Sequence, residues 1–403
     1  MLTARKHSWR YNGAVSRVGK APPPPLTIGI DGTALYGRYG GVEYALWNLL
    51  DALRAQEAAR PAHARHHFVV WIPNNGPPPA LLARFGANWR WRRLAFKGEQ
   101  KLRRIVWQQF GLPFALLRAR CDLLHAPTYV CPLLAPLPVV LTVYDLIALD
   151  QPAFATRTNR VHYGAVMPLA IRRARRVIVP SEPVAQEIVK RGWQPPSRVR
   201  VIAPGVEPLF FAPHAPADLQ AIRDHYDLPT DYILWAGNFE PKKNGAVLRR
   251  AMELLPRHGI VRPPTLVIAG GARAWREHDF GAGGGIQTLG YVRRAELPLL
   301  LAGCRAFAFP SRAEGFGMPA LEALASGALL VASTRVPLPH LDKVALLCEP
   351  DDPHALAANL ARVLREPHLA DELRTKGRAY ARDFTWVRAA KETRSLYAEA
   401  IGR

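Results

Sequence analysis

Glu314 and Glu322 stand eight positions apart in the stretch EGFGMPALE, with Ser311 upstream and the small apolar run ALASGALLVAS downstream. Two carboxylates so placed can divide acid and base work or accept hydrogen bonds from ligand hydroxyls. Between them lie Gly315 and Gly317, which let the backbone approach a ligand closely, and Pro319, which suits a first helical turn where its missing amide costs little. The first free amides of a helix form an anion site. The spacing therefore predicts one acid in a loop and the other about one turn into a helix, with room for a phosphate between them. The alternative is an ordinary strand-turn-helix with a solvated glutamate at each end.

These residues need a scaffold, and the chain supplies one in a repeating rhythm. AFAFP, from Ala306, has strand character and MPALEALA helical character. Far upstream, LTIGID from Leu26 reads as a buried parallel strand, followed by the loop GTALYGRYGG and the helical spacing of VEYALWNLLDALRAQ. Strand, glycine loop, helix is the phosphate-binding arrangement of doubly wound sheets, so Gly40 and Gly41 are candidates to offer bare amides. The loop matches neither the dinucleotide fingerprint nor the lysine-containing phosphate loop. Further strands are expected in HFVVWI, DLLHAP, PVVLTVYD, RRVIVPS and SRVRVIAPG. After the proline-rich GVEPLFFAPHAP a second series follows in DYILWAG, PTLVIAGG, GIQTLGYV, RAFAFPS, GALLVAS and VALLCEP. The expectation is an α/β protein with two similar domains, 26–205 and 206–385, after a basic tail at 1–25. A last helix over 386–403 would pack back on one of them.

The chain has 403 residues, enough for two or three domains. No apolar run reaches the roughly 18 residues of a spanning helix. The tail, with five Lys or Arg and no acid, lacks the apolar core of a secretory signal. Cys121, Cys131, Cys304 and Cys348 show no metal-type spacing, so no metal site is expected and the thiols read as reduced, in a cytoplasmic protein. The net charge of +22 calls for an anionic partner: nucleic acid, an acidic bilayer or a phosphorylated substrate. From Leu81 to Arg120 ten Lys or Arg face a single acid, Glu99, and are interleaved with Trp89, Trp91, Phe96, Trp107 and Phe110. Cations mixed with tryptophans suit the interface of an acidic membrane. A solvated charged face over an aromatic core is the alternative.

FPSRAEGFGMPALEALASGALLVAS resembles the signature of the retaining glycosyltransferases of family 4. Around it, ILWAGNFEPKKN, LGYVRRAELPLLLAGCRAFAFPS and LCEPDDPHALAANLARVL stand in that family's order, and IGIDGTALYGRYGGVEYALWNLLDAL, VLTVYDLIALDQPAF and VIVPSEPVAQEIVKRG resemble its amino-terminal half. The resemblance runs from Leu26 to Ile401. It implies the GT-B fold, two Rossmann-like domains facing across a deep cleft, with a nucleotide-sugar donor held mainly by the second and the acceptor by the first. It also implies transfer with retention of configuration, no required metal and no cofactor.

The resemblance further implies roles. Lys243 matches the phosphate-binding lysine, which would meet the charge developing on the departing diphosphate. The amides of Gly315, Phe316 and Gly317, and those of Gly40 and Gly41, would complete the anion site. Glu322 matches the acid that binds the ribose hydroxyls, and Glu314 the acid beside the donor sugar. Lys243 and Glu314 are thus the catalytic candidates, and the backbone at Tyr291 and Val292 is where the base would be read. Tyr144 stands where many members have histidine, so Tyr144 and Asp145 are assigned to the acceptor pocket. Asn238 replaces an arginine common beside the phosphate lysine, and His340 an acid in LPHLDK.

The function expected is hexosyl transfer, with GDP-mannose the preferred donor, to a lipid-linked oligosaccharide or polysaccharide acceptor. The enzyme would work at the cytoplasmic face of the membrane, held peripherally through residues 84–104, and no nucleic-acid partner is expected. Two alternatives stay open: a nucleic-acid-binding protein, which the charge favours, and an inactive scaffold subunit, which Tyr144 and Asn238 favour.

Overall fold

A computed structural model of the chain describes residues 24–37, 40–150, 157–238, 240–270 and 285–402, with the side chains of 157–162 excepted. The tail expected over 1–25 lies almost wholly outside them.

Two parallel sheets carry the fold. The first has seven strands: β1 Thr27–Asp31, β2 His67–Ile72, β3 Trp89–Arg93, β4 Leu123–Ala126, β5 Val139–Thr142, β6 Arg176–Val179 and β7 Val199–Val201, in the order β3-β2-β1-β4-β5-β6-β7. The second has six: β8 Tyr232–Ala236, β9 Thr265–Ala269, β10 Ile286–Gly290, β11 Ala306–Phe309, β12 Leu330–Ser333 and β13 Leu346–Cys348, in the order β10-β9-β8-β11-β12-β13. Central strands are apolar on both faces because helices cover both. Ile28, Ile30, Phe68 and Val70 pack with Leu46 and Leu50 of helix Gly41–Ala58, while Val69, Trp71, Leu124 and Leu141 on the opposite face pack with Leu112 and Leu116. Each such side chain, fully buried, contributes about 1.5–3 kcal/mol.

Strand order reverses between β1 and β4 in the first sheet and between β8 and β11 in the second. Crevices open outside the carboxyl ends of strands at such points, and both domains place loops there.

The strand β3 falls in the stretch that the sequence presents as a basic and aromatic surface. It is an edge strand whose alternation buries Trp89 to 6% exposure, stacked on Phe68 at 4.0 Å, and turns Arg90 and Arg92 to solvent. Phe96 is buried as well. Trp89 and Phe96 are therefore core residues rather than headgroup anchors, a correction to the aromatic half of the 84–104 surface.

The helix Trp386–Ala400 packs on the first domain, although it follows the second in sequence. Gln56 Nε2 donates to Val387 O at 2.6 Å, and Tyr397 lies in the core beside helix Gly41–Ala58. His125 of β4 is fully buried, with Nδ1 2.8 Å from the Tyr397 hydroxyl and Nε2 3.0 Å from Thr142 Oγ1. Burial pushes its pKa down to about 3, so the ring is neutral. Among the described residues no helix is long and apolar enough to cross a membrane.

Candidate active site

The strands β8 and β11 lie side by side, Ala306 opposite Ile233, and each delivers one catalytic candidate from the loop at its carboxyl end. After β8 the chain makes a single 3-10 turn, Pro241–Lys243, which Asn244 ends in the left-handed region at φ 60 before helix Gly245–Leu254. Asn244 is buried and its Nδ2 donates to Pro350 O, which fixes the turn. After β11 the loop 310–317 runs back past it, and Arg312 N donates to Lys242 O at 2.7 Å. The result is a close pair: Lys243 Nζ lies 2.6 Å from Glu314 Oε1, with side-chain exposures of 12% and 10%. The same ammonium sits 4.9 Å from the centre of the Phe309 ring.

Lys242 adds a second cation. Its Nζ is 3.1 Å from Glu240 Oε2. Burial disfavours the charged form, but Glu240, Asp145 and Glu314 together outweigh it and raise the pKa. The site holds two ammonium groups close to two acids of the second domain and one of the first.

Gly317, at φ 101, caps helix Met318–Ala325, and Pro319 follows in its first turn. The helix carries Glu322 into a buried place, 4% exposed, where Oε1 accepts from Arg294 Nη2 at 2.5 Å. The same nitrogen reaches Glu207 Oε1 at 2.5 Å, and the guanidinium lies between the rings of Tyr44 at 4.7 Å and Phe210 at 4.5 Å. Burial raises the Glu322 pKa and Arg294 only partly restores it. For Arg294, burial is outweighed by Glu322 and Glu207, which raise its pKa further.

The two domains touch at this site. Ser181 Oγ, at the end of β6, donates to Gly315 O at 2.7 Å. A Cβ on Gly315 would stand 2.0 Å from Tyr144 O and 2.8 Å from Asp145 Cβ, so only glycine permits this approach. Asp145 accepts from the Tyr129 hydroxyl at 2.9 Å and from Ile147 N at 3.0 Å. Across the same contact, Tyr44 of the first domain has its pKa raised, chiefly by burial and then by Tyr291 of the second.

The structure thus brings Lys243 to Glu314, and Gly315 to Tyr144 and Asp145. Phe316 buries its ring in the second core, 5.9 Å from Phe384, and Val292 packs on the same core. Tyr291 is 61% exposed. Asn238 is exposed, and its carbonyl accepts from Glu240 N at 2.9 Å. Gly40 caps helix Gly41–Ala58 and lines a first-domain crevice with Thr33, Tyr36, Arg104, Gln108 and Tyr129. Sequence reasoning passed over Lys242, Arg294, Glu207, Ser181 and Tyr44. The doubled basic residues at 242–243 and 293–294 were the available signals for two of them; the others act only through the fold.

Two Rossmann-like domains, one on a seven-stranded and one on a six-stranded parallel sheet, meeting at the loops beyond their strands, are the GT-B architecture of glycosyltransferases. The chain belongs to the family 4, group 1 glycosyltransferases: residues 39–209 match "Glycosyltransferase Family 4" and residues 230–366 match "Glycosyl transferases group 1". It is 28% identical over 282 residues to O-antigen chain mannosyltransferase B of Escherichia coli, covering 68% of this chain and 73% of that protein. To a D-inositol 3-phosphate glycosyltransferase of Xylanimonas cellulosilytica it is 30% identical over 285 residues, covering 66% of this chain and 67% of that one. Among solved structures it superposes on sucrose-phosphate synthase from Thermosynechococcus elongatus with a TM-score of 0.71 at 20% identity, over 93% of this chain and 98% of that one.

Proposed function

We propose that this glycosyltransferase moves a mannosyl group from GDP-mannose, with retention and without a metal ion, to a lipid-linked oligosaccharide or polysaccharide acceptor at the cytoplasmic membrane face. The observation that carries the reading is the Lys243–Glu314 pair at the β8/β11 switch point, one helical segment from Glu322. On donor binding the Lys243 ammonium turns from Glu314 to the diphosphate, and Lys242 and the amides from Gly315 to Gly317 add to the same positive field. These groups supply charge that a divalent cation would otherwise bring. Released from the lysine, Glu314 faces the sugar and Glu322 accepts from the ribose hydroxyls. Mannose is favoured because O-antigen chain mannosyltransferase B is among the relatives. Tyr144 and Asp145, against the Gly315 loop, are assigned to the acceptor side. The test is a panel of nucleotide sugars in chelator-treated buffer, with the anomeric configuration of the product read by NMR. Turnover of GDP-mannose with retention supports the reading; turnover only of another donor, only with added metal, or with inversion contradicts the corresponding part.

A further inference from the structure

The helix that begins at Lys101 and ends at Arg118 has a π turn, Trp107–Gly111, between its α-helical halves Lys101–Val106 and Leu112–Arg118. Its inner face walls the first-domain crevice with Arg104, Ile105 and Gln108, and Gln108 Nε2 donates to Asp31 Oδ2 at 2.6 Å. Its outer face is apolar and uncovered: Leu102 is 74% exposed, Val106 50%, Phe110 65%, Phe114 75% and Leu117 56%. Those five are half of the ten exposed large hydrophobic side chains among the described residues, so the exposure is concentrated, not scattered. A four-residue repeat drifts about 40° per step around a regular α-helix, and the wider π turn takes up part of that drift. Pro113, which has no amide to give to the preceding turn, stands just past it. The apolar side chains therefore stay in one ridge. Leu134, 82% exposed, extends it from a loop that Gln109 ties to the helix through Cys131 O and Leu133 N, both at 3.1 Å.

Cations border the ridge. Arg103 is exposed near its start, and beyond its end Arg90, Arg92, Arg118 and Arg120 line one depression with Thr27 and Val69. Among the described residues none of those four arginines is in an ion pair. An apolar ridge alone would suit a protein partner or a second copy equally well. Four clustered arginines without counter-ions beside it match a surface that presents many phosphates around an apolar interior.

We propose that this face docks on an anionic lipid bilayer, with Phe110 and Phe114 at the boundary between headgroups and acyl chains and the four-arginine depression against lipid phosphates. Membrane contact moves from residues 84–104 as a whole to the helix whose other side walls the crevice. In one respect the inference rests on the glycosyl-transfer reading: docking puts the crevice mouth at bilayer level, so the acceptor taken there carries a lipid anchor.

The test is flotation of the full-length protein with phosphatidylcholine vesicles, with and without phosphatidylglycerol. The variants are Leu102→Gln/Phe110→Gln/Phe114→Gln and Arg90→Gln/Arg92→Gln/Arg118→Gln/Arg120→Gln. Wild type is expected to float with the anionic vesicles alone, and each variant to lose on the order of tenfold in bound fraction. Their unfolding temperatures are expected to match wild type, because the altered side chains are exposed. Wild type that stays in the pellet, floats equally with neutral vesicles, or is matched by both variants overturns the proposal. So does a dimer in sedimentation that the apolar variant dissolves while wild type fails to float, which gives the ridge to a second copy. Donor hydrolysis in solution is read separately: its absence alongside normal flotation sinks the transferase reading and leaves the docking face standing.

Discussion

Lys243 Nζ lies 2.6 Å from Glu314 Oε1, so the residue assigned to the donor phosphates is paired with the one assigned to the donor sugar. Removing one partner strands the other charge in a site only about a tenth exposed, which costs up to about 3–5 kcal/mol. Lys243→Met and Glu314→Gln should each lower the unfolding temperature, and the double variant should recover most of the loss. All three should lack transfer. Thermal unfolding beside turnover checks this, and a double variant no more stable than the worse single one would show that the pair does not compensate.

Arg294 stands against Glu322, and its removal leaves burial and the nearby Glu207 to push the Glu322 carboxyl higher still. Arg294→Met should raise the donor KM by about 10- to 100-fold with a smaller change in kcat. A protonated Glu322 accepts poorly from ribose hydroxyls, so the defect should shrink as pH rises. KM profiles against pH for both proteins decide it; a defect with no pH dependence would reduce Arg294 to packing between Tyr44 and Phe210.

Gly315→Ala puts a methyl group 2.0 Å from Tyr144 O, across the domain contact. The domains or the loop must give way there, and misplacement of about 1 Å can cost about 100-fold in rate. Transfer should fall by that order, with a larger radius of gyration in solution scattering. Full activity would mean that this contact is absent in the working enzyme.

His125 has its pKa pushed from 6.5 to about 3 by burial. Because the unfolded chain takes up a proton at a pH where the folded ring does not, stability is full above pH 6.5 and drains away as pH falls toward 3. His125→Gln should flatten that part of the profile while lowering stability at neutral pH through the lost Tyr397 and Thr142 contacts. Unfolding temperatures measured across this window test both halves.

All six strands of the second sheet and six of the seven in the first are legible, the central ones as apolar runs, because buried parallel strands must be apolar on both faces, and the half-buried edge strands β7, VRV, and β10, IQTLG, by their β-branched residues. β3 is not, since an edge strand with one solvated face reads WRWRR, and its charges hide the two tryptophans that pack inward. Glu314 and Glu322 stand out by local spacing alone. Arg294 does not: its partners Glu207, Glu322 and Tyr44 are remote in sequence, and no local pattern encodes a charge sandwiched between two domains. The exposed ridge from Leu102 to Leu117 was hidden for a related reason. Apolar residues at helical spacing read as core, and only the fold reveals which face nothing covers.

The most direct measurement of the central claim is GDP-mannose binding by calorimetry to wild type, Lys243→Met and Glu322→Gln, paired with turnover of each. The account expects saturable binding by wild type, loss of about tenfold or more in affinity for both variants, and no turnover by Lys243→Met. Wild-type affinity and turnover in Lys243→Met would contradict it, because the diphosphate would then be held and released without the lysine that Glu314 keeps in place.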